Sequence, residues 1–258
     1  MTDFSFKPIG YIRSCFAEKF GIPRQPGLVP DATAVIEIGR SFQNHAAFRS
    51  LETFSHIWVL FVFHQCLQKR SNATVRPPRL GGNRRVGVFA SRSGFRPNPI
   101  GQSAVELVSI RKSKGKISLH LKGVDFLDGT PVLDIKPYLP YADSLPHANS
   151  GYAVDPPSPA MDVRFSNEAA KSCRRLEGQA YPHLKRLIID LLAMDPRPGY
   201  AHSVEKCSFG MRLWDLNIKF KAADGQMIVE SIASDKGWAR HCELRPTIQE
   251  PEFMNPEA

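Results

Sequence analysis

Between Glu52 and Glu106 the sequence has no acidic residue, while Lys69, Arg70, Arg76, Arg79, Arg84, Arg85, Arg92 and Arg96 all fall inside that interval. Cations without nearby carboxylates, interleaved with Phe89, Phe95 and several prolines, form either a solvated basic surface, the default for such a block, or an electrostatic footprint for a polyanion. Paired cysteines are missing too. Cys15, Cys66, Cys173, Cys207 and Cys242 are an odd set with no C-x-x-C spacing, which argues against a disulfide framework and for a reducing compartment. The most apolar run, Ile57 to Phe63, is far short of the ~20 residues that cross a bilayer. The N-terminal MTDFSFKPIG lacks the apolar core of a signal peptide, so the expectation is a soluble, cytoplasmic chain. There is no G-x-G-x-x-G turn, P-loop or G-x-S-x-G elbow, and no His/Cys/carboxylate cluster with ligand spacing. A Rossmann cofactor site, acyl transfer at such an elbow and a metal centre are therefore not expected.

What is present has globular proportions: 258 residues, 42% apolar and 23% charged, with a formal net charge of +9. The charge is unevenly placed. Residues 1–155 hold 20 basic and 11 acidic side chains, which accounts for the whole excess, whereas residues 156–258 hold 14 of each.

Strand-like segments dominate the first part: Phe4–Arg13, Thr33–Ile38, His56–His64, Val86–Ser91, Ser103–Ile110, Lys116–Val124 and a short Val132–Ile135. Only Asn44–Glu52 there reads as a helix. Many short strands with Gly/Pro-rich connections predict a small closed β-barrel. After the Pro-rich stretch Asp155 to Pro159, helical periodicity predicts helices near Asn167–Gln179 and Pro182–Met194, the second stopped by the Asp195-Pro-Arg-Pro turn. Gly210–Ala222, a turn at Asp224-Gly225 and Gln226–Ala233 read as a hairpin. The expected class is α+β, mainly β: a barrel over 1–155, a smaller α+β domain over 156–245, and a flexible tail over 246–258.

The segment from Asn72 to Gly101 combines four prolines with five glycines, which reads either as an ordinary surface loop or as backbone N–H groups held toward an anion or cofactor. The Asp128-Gly129-Thr130-Pro131 turn lies between two strand candidates, well placed to present backbone groups. For His64, at the end of an apolar strand, the default is a hydrogen-bonded core histidine. Asp134 and Lys136 read most simply as an exposed ion pair two residues apart.

The pieces Pro23-Arg24-Gln25-Pro26-Gly27, Phe54-Ser55-His56 through Phe63-His64-Gln65, Val75 to Gly82 and Phe95-Arg96-Pro97-Asn98-Pro99-Ile100-Gly101 resemble the TsaA-like family. So do Asp128 to Val132, Asp134 to Tyr138 and Asp195 to Tyr200, and the likeness spans roughly residues 4 to 245. It implies an S-adenosylmethionine-dependent tRNA (adenine-N6)-methyltransferase built on a barrel, a homodimer, acting on the threonylcarbamoyl-modified adenosine at tRNA position 37. By the same resemblance Gln25, Pro26, Gly27, His64, Gln65, Arg92, Asp128, Gly129, Thr130 and Pro131 would form the cofactor pocket.

The N6 lone pair of adenine is delocalised into the ring, so a group that accepts the N6 proton would assist methyl transfer. Asp134 is the first candidate for that contact, with Lys136 beside it; Tyr138 and the substrate's own carbonyl-bearing substituent are the alternatives. Arg76, Arg79, Arg84 and Arg85 are assigned to phosphates, and Asp195, Arg197 and Tyr200 complete the tRNA site unless that turn only ends a helix. Two other functions stay open: a non-catalytic RNA-binding module with a vestigial cofactor pocket, and a methyltransferase acting on a small metabolite.

Overall fold

The computed structural model describes residues 4–67, 72–113, 115–177, 181, 183–197 and 208–235. The first part contains β1 (Gly10–Ser14), β2 (Thr33–Ile38), β3 (His56–Val62), a two-stranded ribbon of β4 (Thr74–Val75) and β5 (Val86–Gly87), then β6 (Ile100–Ser113), β7 (Lys116–Lys122) and β8 (Pro131–Pro137). Six of these close into a barrel in the order β1-β2-β7-β6-β3-β8, every pair antiparallel. Alternation fills it: Ile12, Ile36, Ile57, Val59, Leu119 and Leu121 point inward with almost no exposed surface, while their neighbours face out. At Gly101, opposite Phe61 in the β3–β6 ladder, a Cβ would collide with the Phe61 ring, so the absence of a side chain lets the aromatic lie over the strand.

Several boundaries differ from the sequence reading. The first strand begins at Gly10, and Phe4 and Phe6 are exposed. The expected helix over Asn44–Glu52 is instead short 3₁₀ turns, Arg40–Phe42, His45–Phe48 and Leu51–Thr53, interrupted by Ser50 with φ of 65°. The Val86–Ser91 strand stops at Gly87 and turns into a 3₁₀ segment, Val88–Ala90. Gly210–Ala222 is not one strand but two, β10 (Ser208–Leu213) and β11 (Leu216–Ala223), folded at Trp214-Asp215 with Trp214 in the left-handed region at φ of 51°. The partly broken alternation of Met211, Leu213, Leu216 and Ile218 is that hairpin's phase change.

Strand β12 (Gln226–Ser234) follows the predicted Asp224-Gly225 turn, and β9 (Asp162–Phe165), unanticipated from sequence, pairs parallel to it. A short α1 (Pro140–Asp143) follows the barrel, while α2 (Asn167–Glu177) and α3 (Leu184–Ala193) cover the four-stranded sheet with Cys173, Leu176, Leu187, Ile188 and Leu191. Burial pushes the Cys15 thiol up to about 12 and that of Cys173 to about 11, which leaves both as inert packing groups.

The second part holds the 15–32 loop of the barrel in place. Phe16, fully buried, bridges Leu127 on one side and Leu213 on the other. The Trp214 N–H donates to the Cys15 carbonyl at 2.8 Å, and the Arg212 N–H to Glu18 Oε1 at 3.1 Å. Gly21, at φ of 88°, sits so close to the Met211 thioether that any Cβ would overlap it. Among the described residues no helix is long and apolar enough to cross a membrane.

Candidate active site

Where the 15–32 loop and the 88–99 segment meet β3 and β6, the structure opens a cavity of about 730 Å³. Trp58, Leu60, Phe61, Phe63, Phe95 and Ile100 supply apolar and aromatic walls. Lys19, Arg24, Arg92 and Arg96 supply positive charge, and Asp125 is the one acidic residue among the lining side chains. This is the composition of a site for a ligand with an aromatic body and polar, charged ends.

The local chain shape follows from the sequence. Gly94 lies against Phe63, where a Cβ would strike the ring, and the Phe63 N–H donates to the Pro99 carbonyl at 2.7 Å, so Gly and Pro lay the 88–99 segment over the end of β3. Arg96 Nη1 donates to the Ser91 carbonyl at 3.3 Å. Arg92 Nη1 donates to Gln25 Oε1 at 2.5 Å, and Gln25 Nε2 in turn donates to the Arg24 carbonyl at 2.6 Å, joining the two segments across the cavity.

Asp125 is the perturbed group. Burial is the main cause that lifts its carboxyl from 3.8 to about 6, against the opposing pull of the Ser103 hydroxyl, its own backbone and the Arg92 charge. Its Oδ1 is shielded from solvent and has no hydrogen-bond partner. Neither Asp125 nor Ser103 stands out in the sequence, nor does Lys19; Arg24 and Arg96 lie within resemblance motifs but are not singled out there as cavity residues. The available signal is an acid between Val124 and Phe126, both buried, directly before the Asp128–Pro131 turn.

Of the residues assigned to the cofactor, Gln25, His64, Gln65, Arg92 and Thr130 line the cavity. The others lie behind it. The Gly27 N–H donates to the Gly123 carbonyl at 2.8 Å, with Pro26 beside it, and this anchors the loop against β7. Asp128 Oδ1 accepts from the Ser14 N–H at 3.1 Å, the Gly129 N–H donates to the Ile12 carbonyl at 2.8 Å, and Pro131 stands opposite Tyr11. The Asp128–Pro131 turn thus clamps β1 and delivers only Thr130 to the cavity.

Asp134 and Lys136 form an ion pair of 2.7 Å on the outer face of β8. They stand directly across the ladder from Leu60 and Trp58, which line the cavity, so the pair sits at its edge rather than within it. Tyr138 packs on Trp58 with ring centroids 5.6 Å apart. Arg76, Arg79, Arg84 and Arg85 are all exposed on the β4–β5 ribbon, Arg85 bonding Thr74 Oγ1 at 3.0 Å. Arg197 is only 5% exposed and grips Asp195 through two bonds, Nε–Oδ1 at 2.8 Å and Nη2–Oδ2 at 2.9 Å. That turn flanks a second, smaller hollow together with Ile22, Pro23 and Arg24, so it backs the lip of the main cavity. Tyr200 lies outside the described residues, as do Lys69, Arg70 and the tail over 246–258. Among the described residues no group of three or more His, Cys, Asp or Glu could hold a metal ion.

Two family models match the sequence: the tRNA-methyltransferase O N-terminal domain over residues 11–144 and the C-terminal domain of the same family over residues 158–235. A protein of Escherichia coli K12 named tRNA (adenine(37)-N6)-methyltransferase is 48% identical over 225 residues, 87% of this chain and 95% of the relative. A Pseudomonas aeruginosa protein, whose name marks it as an inferred S-adenosylmethionine-dependent methyltransferase, is 48% identical over 83% of this chain and 90% of its own length. The crystal structure of TrmO from Pseudomonas aeruginosa superposes with a TM-score of 0.75 at 40% identity, covering 90% of this chain and 99% of that one.

Proposed function

The chain belongs to the tRNA-methyltransferase O family, and from that premise we propose that the 730 Å³ cavity is the place where it binds its cofactor and acts. The reaction is S-adenosylmethionine-dependent methylation of N6 of adenosine 37 in tRNA. The observation that carries this is the 48% identity across nearly the whole Escherichia coli enzyme, with both family models matched in order on one barrel-containing chain. A non-catalytic RNA module is not favoured by that match.

The residues present fit the cofactor. Aromatic side chains suit an adenine, the cations suit a carboxylate, and the buried, unpartnered Oδ1 of Asp125 suits a hydrogen-bond donor. When bound, S-adenosylmethionine supplies an electrophilic methyl group on a sulfonium. This chain's contribution is position: Gln25 and Arg92, bonded to one another, fix the cavity width, and Trp58, Leu60 and Phe61 exclude water from one wall. Pro26, Gly27, Asp128, Gly129 and Pro131 hold the cofactor site through backbone anchoring, with His64, Gln65 and Thr130 facing the ligand.

The target base enters over the outer face of β3 and β8. There Asp134, paired with Lys136, takes the N6–H contact, and Tyr138 on Trp58 offers a stacking surface. Arg76, Arg79, Arg84 and Arg85 receive phosphates, and Asp195 and Arg197, with Tyr200 assigned from the sequence alone, contribute to the tRNA site. The substrate is adenosine 37 already carrying the threonylcarbamoyl group, whose carboxylate suits the cationic rim. Residues 1–155 are the catalytic domain, residues 156–245 its supporting domain, and the working unit is a homodimer.

The test incubates the protein with labelled S-adenosylmethionine and tRNA with or without the threonylcarbamoyl group, followed by nucleoside analysis. Label in N6-methylated threonylcarbamoyladenosine is expected. Equal label in both tRNAs would remove the modified-substrate reading, and label independent of tRNA would favour a small-metabolite enzyme. Asp134→Asn with normal turnover and unchanged cofactor binding would remove Asp134 from the reaction.

A further inference from the structure

Resting on the reading that this cavity takes S-adenosylmethionine, we propose that Asp125 receives the α-ammonium of the cofactor's amino-acid end and so selects ligands that carry one. Three observations meet at this residue. Asp125 is the only acid among the lining side chains, against Lys19, Arg24, Arg92 and Arg96, so it is the one group there with charge opposite to a cation. Its Oδ1 is buried and lacks a partner, which calls for a hydrogen-bond donor from the ligand. Ser103, from strand β6, is itself buried and lines the same cavity, so a polar wall accompanies the carboxyl.

The chemistry separates the cofactor's parts. A sulfonium is cationic but has no N–H, so it leaves the acceptor unmet. A ribose hydroxyl donates a hydrogen bond but brings no positive charge to the carboxylate. Only the α-ammonium does both. The surrounding arginines and Lys19 then face the cofactor's carboxylate.

A proton and the ammonium compete for the same carboxyl. With the empty-site carboxyl at about 6, its ionised fraction, and with it the affinity for S-adenosylmethionine, rises about tenfold from pH 5 to pH 7. The other charged or ionisable side chains lining the cavity are Lys19, Arg24, Arg92, Arg96, His64 and Cys66. His64→Asn therefore serves as the control for a histidine origin of the pH response.

Isothermal titration of the full chain with S-adenosylmethionine, S-adenosylhomocysteine and 5′-methylthioadenosine, which lacks the amino-acid end, tests the assignment. Asp125→Asn is expected to weaken the first two by about tenfold or more at pH 7 and leave the third within about twofold. It is also expected to flatten the pH response, which His64→Asn retains. A thermal melt confirms that the Asn variant is folded. Equal loss for 5′-methylthioadenosine would move the contact to the nucleoside, loss for S-adenosylmethionine alone would move it to the sulfonium, and no loss would leave Asp125 without a ligand role; each overturns the proposal. Failure of the wild type to bind S-adenosylmethionine would instead refute the reading of the cavity.

Discussion

Replacing Asp125 by Asn is expected to make the ligand-free protein more stable, and more so as pH rises. Burial is the leading cause that lifts the folded-state carboxyl from 3.8 to about 6. The folded chain therefore holds a proton that the unfolded chain has released between those values. Stability then falls as pH rises through this window, and above pH 6 the full cost of an ionised, buried carboxylate is present. The interval corresponds to about 3 kcal/mol at pH 7.5 and about 0.5 kcal/mol at pH 4. Asparagine keeps the shape and an acceptor oxygen but cannot ionise, so its advantage over wild type should grow from below 1 to at most about 3 kcal/mol across that range. For a chain of this size that is a rise in Tm of roughly 6–10 °C at pH 7.5 and little change at pH 4. Circular-dichroism melts of both proteins at pH 4, 5, 6 and 7.5 measure it. A Tm difference that does not vary with pH, or an Asn variant less stable at pH 7.5, would refute the burial argument.

Asp195→Ala leaves the Arg197 guanidinium buried without this carboxylate and should cost about 3–5 kcal/mol in urea unfolding. Because that turn backs Ile22–Arg24, the affinity for S-adenosylmethionine should fall with it in titration calorimetry at a temperature where the variant remains folded. Gly21→Ala meets both a left-handed φ and the Met211 thioether, and a loss of about 2 kcal/mol or more is expected in the same unfolding assay. Changing Arg76, Arg79, Arg84 and Arg85 to Gln should lower the slope of log affinity for tRNA against log salt by about one for each phosphate that is no longer neutralised. An unaltered slope would make the ribbon solvated surface. S-adenosylmethionine affinity should hold within about twofold in that quadruple variant, since none of the four arginines lines the cavity.

The barrel is legible in the sequence because its strands alternate. Thr33–Ile38 and Lys116–Lys122 show period-2 patterns that need no partner to be recognised, and burial in the structure repeats them residue by residue. The Asp224-Gly225 turn is equally plain, since Asp-Gly readily adopts the two positive φ angles a tight hairpin needs. The Trp214-Asp215 turn is not. Nothing in Trp favours the left-handed region, and tertiary contacts hold it: the Trp214 N–H on the Cys15 carbonyl and Asp215 bonded by Tyr181 and Ser234. The Asn44–Glu52 segment fails as a helix for the opposite reason, because a residue with positive φ at Ser50 breaks a weak local preference.

The candidate site divides in the same way. Local chemistry and motif resemblance mark Gln25, His64, Gln65 and Arg92 as belonging together, and the acid-free interval marks the exposed arginines of the β4–β5 ribbon. What those signals do not convey is which side chains of a motif face the ligand. Asp128 and Gly27 are spent on backbone anchoring, Arg197 on Asp195, and Asp125 emerges only once Ser103, Arg92 and Thr130 are brought around it. Periodicity, charge and turn chemistry are properties of neighbours along the chain, and the sequence alone determines them: a basic barrel, an α+β second part, and no dinucleotide fold. Burial of a charge and the direction of a side chain depend on residues distant in sequence, so only the closed barrel decided that the cavity's one carboxylate stands unpartnered at Oδ1 among four cations.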